Sequence, residues 1–419
     1  MRRLVLLLLT ACHHTAAPAE ADAPVSLTDA SRDAAPTTTV TSRELCKLLS
    51  GRNSNDPTPN DVQHKANVLG ADLGIPVVHG DRTYLLFGDT IGFAGIWGAH
   101  ESHPDAVGSA PAAAVAADPG TLCTGLEMAI APGSNIGPSI DPSIHADFAG
   151  AAMAAPAGHD LAEFIRNPSG AGANHFAFLP GDFEVPSGAF SYGDSIYVFY
   201  TSVTSPADPT MTASYLAKWT NPNGAPSYQI LYPVDERRDA NGALHGHFIN
   251  VAAEVEGDYV YLFGTGAYRQ SGVYLARKRL DALATPGGFE ELGQIIPAAG
   301  YGETSVRYFP AIGRWMLLAE ESLPGSNRIV AYFASGAQGP WTAPIAVHDM
   351  ADPTFLAAYC CSAGDNCVGD QMFDCTRTGF YGTYLFPDLQ LTGTGFTVSY
   401  TMSSFAPYNV ALFQTTFGP

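Results

Sequence analysis

The chain has 419 residues, 14% of them charged and 11% aromatic, with 43 Gly, 31 Pro and a formal net charge of −20. Nucleic-acid binding is disfavoured, because phosphate contacts need clustered Lys and Arg. The composition is too apolar for disorder and too rich in turn residues for a helical bundle, so it points to an all-β protein of short strands.

The first twelve residues read as an export signal. Arg2 and Arg3 form its charged region and Leu4 to Leu9 its apolar one. Leu9-Thr10-Ala11-Cys12 resembles a bacterial lipobox, with Cys12 the lipid-bearing residue after cleavage. The apolar run is too short to be a stop-transfer helix. Residues 13–42, rich in Ala, Thr and Pro, suit a flexible tether. The expected product is an exported monomeric lipoprotein, held at the outer membrane or cell surface by an N-terminal lipid. Its folded domain spans 43–419. The remaining cysteines, Cys46, Cys123, Cys360, Cys361, Cys367 and Cys375, suggest up to three disulfides. Fifteen connectivities are open to them. A metal site at the C-terminal cluster is less favoured, for want of paired C-x-x-C spacing.

Val68 to Thr90 reads as a hairpin: an apolar strand, a turn at His79-Gly80-Asp81-Arg82, and a second apolar strand. With Gly80 and Asp81 central to the turn, Asp72 falls directly opposite Asp89. Cross-strand partners have Cβ atoms roughly 5 Å apart, so two carboxylates would share one face. Like charges that close raise one of the two pKa values, which suits acid–base chemistry. The hairpin pattern returns at Gly193-Asp194-Ser195-Ile196-Tyr197, at Gly257-Asp258-Tyr259-Val260-Tyr261, and more weakly at Gly313-Arg314-Trp315 and Gly395-Phe396-Thr397. Several copies are followed by another apolar strand. Such recurrence predicts a five-bladed β-propeller with long loop insertions, at about 99–180 and 349–377. A β-sandwich or a pair of β domains is the competing architecture.

Acid at both places, that of Asp72 and that of Asp89, is expected in the first repeat alone. In the fourth, Glu303 and Arg307 share a strand face, either lining a central cleft or forming a buried ion pair between blades. His245 and His247 also share a face, without a third metal ligand in view. Asp365, Asn366 and Asp370 could supply oxygen ligands to a structural calcium ion, although EF-hand spacing is missing. No cofactor is required by any motif. P-loop, GxGxxG, GxSxG and HExxH patterns are all absent from the sequence.

The segments G-A-D-L-G-I-P, L-F-G-D-T, F-I-N-V, Y-L-F-G-T-G-A-Y-R-Q-S-G, G-E-T-S-V-R-Y and F-Y-G-T-Y-L-F-P together resemble a bacterial family of five-bladed propellers, formerly a domain of unknown function, some of whose members are endo-D-arabinanases. The resemblance spans roughly Ala66 to Phe417. It implies hydrolysis of α-D-arabinofuranosyl linkages, with Asp72 and Asp89 matching the family's first-blade aspartates. The expected activity is therefore that of a glycoside hydrolase acting on a furanose-containing polysaccharide. Asp72, Asp89 and Glu303 are its candidate acids. His247, Asn250, Arg269, Arg307, Tyr381 and Asn409 are candidates for holding sugar hydroxyls. The alternative is a noncatalytic surface propeller that binds glycan or protein, since one fold serves both uses.

Overall fold

The computed structural model describes residues 39–49, 58–66, 68–92, 105–131, 161–162, 183–204, 211–222, 228–237, 244–323, 326–361, 367, 370–376, 378–405 and 408–418. The expected signal peptide, Cys12 and most of the expected tether lie outside them, as do Asp365 and Asn366. Met1–Thr37 and Thr38–Pro419 are two units, and every element among the described residues belongs to the second.

That unit is built from antiparallel sheets. β1 (Val40–Leu49) begins inside the stretch read as tether and joins the C-terminal strands. β2 (Val68–His79), β3 (Arg82–Gly92), β4 (Val107–Pro111) and β5 (Glu127–Met128) form the first sheet in that order. The small strands β6 (Ile130–Ala131) and β7 (Leu161–Ala162) pair with each other. The second sheet holds β8 (Phe183–Tyr192), β9 (Ser195–Val203), β10 (Met211–Thr220) and β11 (Gln229–Glu236). A seven-stranded sheet comes next: β12 (Asn250–Glu256), β13 (Tyr259–Thr265), β14 (Ser271–Arg279), β15 (Glu290–Phe309), β16 (Arg314–Leu323), β17 (Ser326–Ala334) and β18 (Ile345–Asp349). It comprises two meanders that share β15. β19 (Cys360–Cys361) pairs in parallel with β20 (Phe373–Asp374). The last sheet runs β1, β23 (Tyr408–Phe417), β22 (Gly395–Phe405), β21 (Phe380–Thr392), so a strand from near the beginning of the unit completes the sheet at its end.

The recurring glycine turns are the hairpin tips. Gly80, Gly193, Gly257, Gly313 and Gly393 have φ between 56° and 61°, the left-handed region that a side chain resists. The fifth tip is Gly393, two residues before the Gly395 pattern that announces it. Leu85, Phe199, Leu262, Leu317 and Tyr400, on the strands after these turns, are buried. Apolar clusters lie between successive meanders: Ile75 with Val198 and Tyr215, Phe199 with Leu262, Phe263 with Trp315, Met316 with Phe413, and Phe87 with Val410. These two-sided cores explain why the strands read as almost continuous apolar runs.

Two sequence expectations need correction, and the cysteine pairing left open is filled in. The region from 99 to 180 is not wholly an insertion, because β4 and β5 are outer strands of the first sheet. Their V-G-S-A-P and E-M sequences carry little strand signal. His245 and His247 occupy a turn and loop before β12 instead of a strand, with His245 at φ 55°. The disulfides are Cys46–Cys123, Cys360–Cys375 and Cys361–Cys367, the last two bracing the 349–377 segment.

The five strands β2, β8, β12, β15 and β21 pack on one another in cyclic order around a central cavity lined by Pro76, Ser187, Ala252, Arg307 and Tyr384, among others. Arg307 crosses it. Its Nη1 donates to Glu254 Oε2 at 2.8 Å, Nη2 to the Pro76 carbonyl at 2.8 Å, and Nε to the Leu385 carbonyl at 3.1 Å. Removing one member of such a pair leaves a buried, uncompensated charge, at a cost of roughly 3–5 kcal/mol. Arg307→Met is expected to lose about that much in urea denaturation; a loss below about 1 kcal/mol would show that the tie is dispensable.

Candidate active site

At one end of the cyclic packing the lining turns polar. β2 brings Asp72, β8 Glu184, β12 Asn250, β15 Glu303 and β21 Tyr381, all buried. Asp89 arrives from β3. Asp105 comes from just before β4, where the Ala106 N–H donates to Thr90 Oγ1.

The first hairpin keeps the expected register from the turn to Ile75↔Leu86. A bulge at Leu73-Gly74, with φ of 66° and 79°, then shifts it by one, so Asp72 pairs with Gly88 instead of Asp89. Both aspartates remain buried in one neighbourhood, and Asp89 enters it with φ at 21°. Gly88 is what leaves room. A Cβ there would lie 2.6 Å from Asp72 Oδ1.

A phenol serves each candidate acid. Tyr381 donates to Asp72 Oδ2 at 2.9 Å, Tyr268 to Glu303 Oε1 at 2.9 Å, and Tyr408 to Asp89 Oδ2 at 3.4 Å. Asp72 Oδ1 and Glu303 Oε2 have no hydrogen-bond partner among the described residues. Burial, reinforced by the charges of Asp89 and Glu303, lifts Asp72 well above the ordinary carboxylate range, against the pull of the Tyr381 hydroxyl. Asp105 is raised by burial and then by Asp89, Asp72 and Glu184. Glu320, on β16, is pushed up to about 7 by burial, opposed by Arg269 and assisted by Glu303. Its ion-pair contact with Arg269 Nη2 is 3.1 Å long.

The remaining sequence candidates divide. Arg269 lies among the acids, 5.5 Å from the Tyr381 ring centroid. Asn250 heads β12, with Nδ2 3.9 Å from Met211 Sδ and Oδ1 without a partner among the described residues. Arg307 sits deeper in the cavity, its donors committed to Glu254, Pro76 and Leu385. His247 stacks on Tyr274 at 3.7 Å and contacts Glu291 at 3.4 Å. Asn409 donates to the Met372 carbonyl and, at 3.3 Å, to Ser404 Oγ. Neither contact set includes an acid of the cluster. Sequence reading missed Asp105, Glu184, Glu320, Tyr268, Tyr384 and Tyr408. Glu184 adds an acid from the second repeat, where Ser202 is its cross-strand partner, so acid at both places stays confined to the first. An acid at the second residue of β8, one position from the Val185 that matches Asp72 in register, was the available signal. Among the described residues, no group of three or more His, Cys, Asp or Glu is arranged to hold a metal ion.

Asp72 bears directly on stability. A carboxyl whose proton affinity is raised by folding destabilises the folded state as pH climbs above the unfolded value, 3.8, towards the folded one. Asp72→Asn removes that penalty. Its melting temperature is expected to exceed the wild type's at pH 7–8, on the order of 2 °C or more, and to converge with it below about pH 3.8. A variant no more stable than wild type at pH 8 would show that no such penalty exists.

Among solved structures the chain is similar to a Bacteroides ovatus protein provisionally described as a hydrolase, at 14% identity and TM-score 0.48, covering 84% of this chain and 87% of that one. It is also similar to the catalytic domain of a Coprinopsis cinerea GH62 α-L-arabinofuranosidase, at 15% identity and TM-score 0.44, over 88% and 95% of the two chains. A family 117 glycoside hydrolase from Zobellia galactanivorans gives 13% identity and TM-score 0.44, over 90% of each. No curated protein matches the chain. The model of the family described as "Domain of unknown function (DUF4185)" matches residues 57–414, most of the sequence, and the chain belongs to that family.

Proposed function

We propose that this protein is a glycoside hydrolase, its five meanders acting as the blades of a propeller whose central face holds a furanose-containing polysaccharide. One observation carries the reading: Asp72, Asp89 and Glu303 come from three different strands to one end of the cyclic packing, buried and each in contact with a tyrosine hydroxyl. Glycoside hydrolysis needs a protonated carboxyl to deliver a proton to the leaving oxygen and an ionised one to act on water or on the anomeric carbon. The environments here push in that direction, because burial and like charges favour the protonated form of Asp72. We assign Asp72 as general acid and Asp89 as base or nucleophile, with Glu303 the third acid beside them. Asn250, Arg269 and Tyr381 supply polar atoms at the same end.

The sequence resemblance at G-A-D-L-G-I-P and L-F-G-D-T favours D-arabinan as the polymer and endo cleavage as the mode. Export and lipid anchoring through Cys12 would place the enzyme at the cell surface, where such a polymer is met.

The test is reducing-end release from D-arabinan by wild type, Asp72→Asn, Asp89→Asn and Glu303→Gln, with folding checked by circular dichroism. Wild-type turnover is expected, with a fall of roughly 100- to 10,000-fold in Asp72→Asn and Asp89→Asn. Equal rates in all four proteins would sink the carboxylate assignment. Binding of arabinan without release would transfer the reading to a noncatalytic glycan-binding propeller.

A further inference from the structure

Arg269 has a backbone φ of 53°, in the left-handed region that non-glycine residues seldom enter. Such strain persists where surrounding contacts hold it. The contacts here are specific. The guanidinium carbon lies 4.8 Å from the Tyr268 ring centroid and 5.5 Å from that of Tyr381. Room is left at Gly302, where a Cβ would come within 3.0 Å of Arg269 Cγ and 3.1 Å of Tyr268 Cε2.

The two rings lead to different acids. Tyr268 donates to Glu303, from β15, and Tyr381 donates to Asp72, from β2. A planar cation over a phenol face fixes the ring and polarises its O–H, and guanidinium does this better than a flexible ammonium. Glu320 supplies the counter-force. It draws Nη2 towards β16, so the guanidinium is not free to collapse onto Glu303 and neutralise it. The charged and titratable groups facing Arg269 are thus Tyr268, Glu320, Glu303 and Tyr381, and those facing Glu320 are Arg269 and Glu303.

We propose that Arg269, anchored by Glu320, is a positioning residue that couples Asp72 to Glu303 through Tyr381 and Tyr268, so that the two acids respond as one unit. The proposal deepens the hydrolase reading and rests on it for the roles of the two acids. The coupling can nevertheless be measured without substrate.

The experiment records the side-chain carboxyl ¹³C resonances of the ligand-free protein at fixed pH. Asp72→Asn and Glu303→Gln assign the two signals. Arg269→Met and the isosteric Glu320→Gln are each expected to move both the Asp72 and the Glu303 resonance beyond their linewidths, and Arg269→Lys is expected to leave both displaced. A change confined to Glu303, or absent from both, would overturn the coupling. If Arg269→Met fails to fold, Glu320→Gln decides. Because no turnover is involved, inactivity on arabinan would defeat the hydrolase reading and leave this result standing. On a hydrolysed substrate, the same variants should lower kcat roughly 10- to 100-fold with KM within about twofold. A raised KM at unchanged kcat would make Arg269 a substrate-binding group instead.

Discussion

The architecture turns on one buried cation. Arg307 joins its own strand, β15, to the main chain of β2 at Pro76, to β21 at Leu385 and to Glu254 of β12. A guanidinium removed from water must have its donors met, and here strands from different sheets meet them, so the pairing is possible only when those sheets converge. Ser305 and Ser187 add smaller ties, accepting from the N–H groups of Leu385 and Val251. Sheet-to-sheet apolar clusters provide most of the burial, but hydrophobic contact is non-directional. The polar ties specify which strand ends meet.

At the polar end of the same packing, the requirement is reversed. Deeper in the cavity one cation is held by Glu254, Pro76 and Leu385; at the polar end several carboxylates are gathered, with Arg269 among them. Tyrosine hydroxyls offer donors without adding positive charge, so they make burial tolerable and leave the proton affinity of Asp72 high. Arg269 is the counterweight, and Glu320 holds it to one side. Non-glycine residues with positive φ gather here as well, at Leu73, Asp89 and Arg269. Strain of this kind commonly marks positions where side-chain aim matters more than local stability. Burying acids in this way disfavours the folded state, and the apolar clusters and disulfides offset it elsewhere.

Much of this was legible in the residues. The hairpin of Val68 to Thr90, its turn glycine, the recurrence of that pattern and the suspicion attached to Asp72, Asp89 and Glu303 needed only local rules. A two-residue turn sets the pairing of its flanking strands, and alternation sets the shared face. The same rule failed beyond Ile75, because a bulge with two positive-φ residues is specified by what packs around it: Val410 and Thr401 from the last sheet crowd Gly74. Likewise the partners of Arg307 lie 53, 78 and 231 residues away, and no spacing announces them.

The sequence by itself determined the hairpin strands of each repeat, their glycine turns and the acids Asp72, Asp89 and Glu303, since these follow from side-chain period and backbone sterics within a dozen residues. Only the tertiary structure decided which acids meet, that Asp105 and Glu184 join them, that tyrosines from three other segments contact them, and which cysteines pair. Those relations depend on distance between strands far apart in the chain, which packing of the sheets sets and local propensity does not encode.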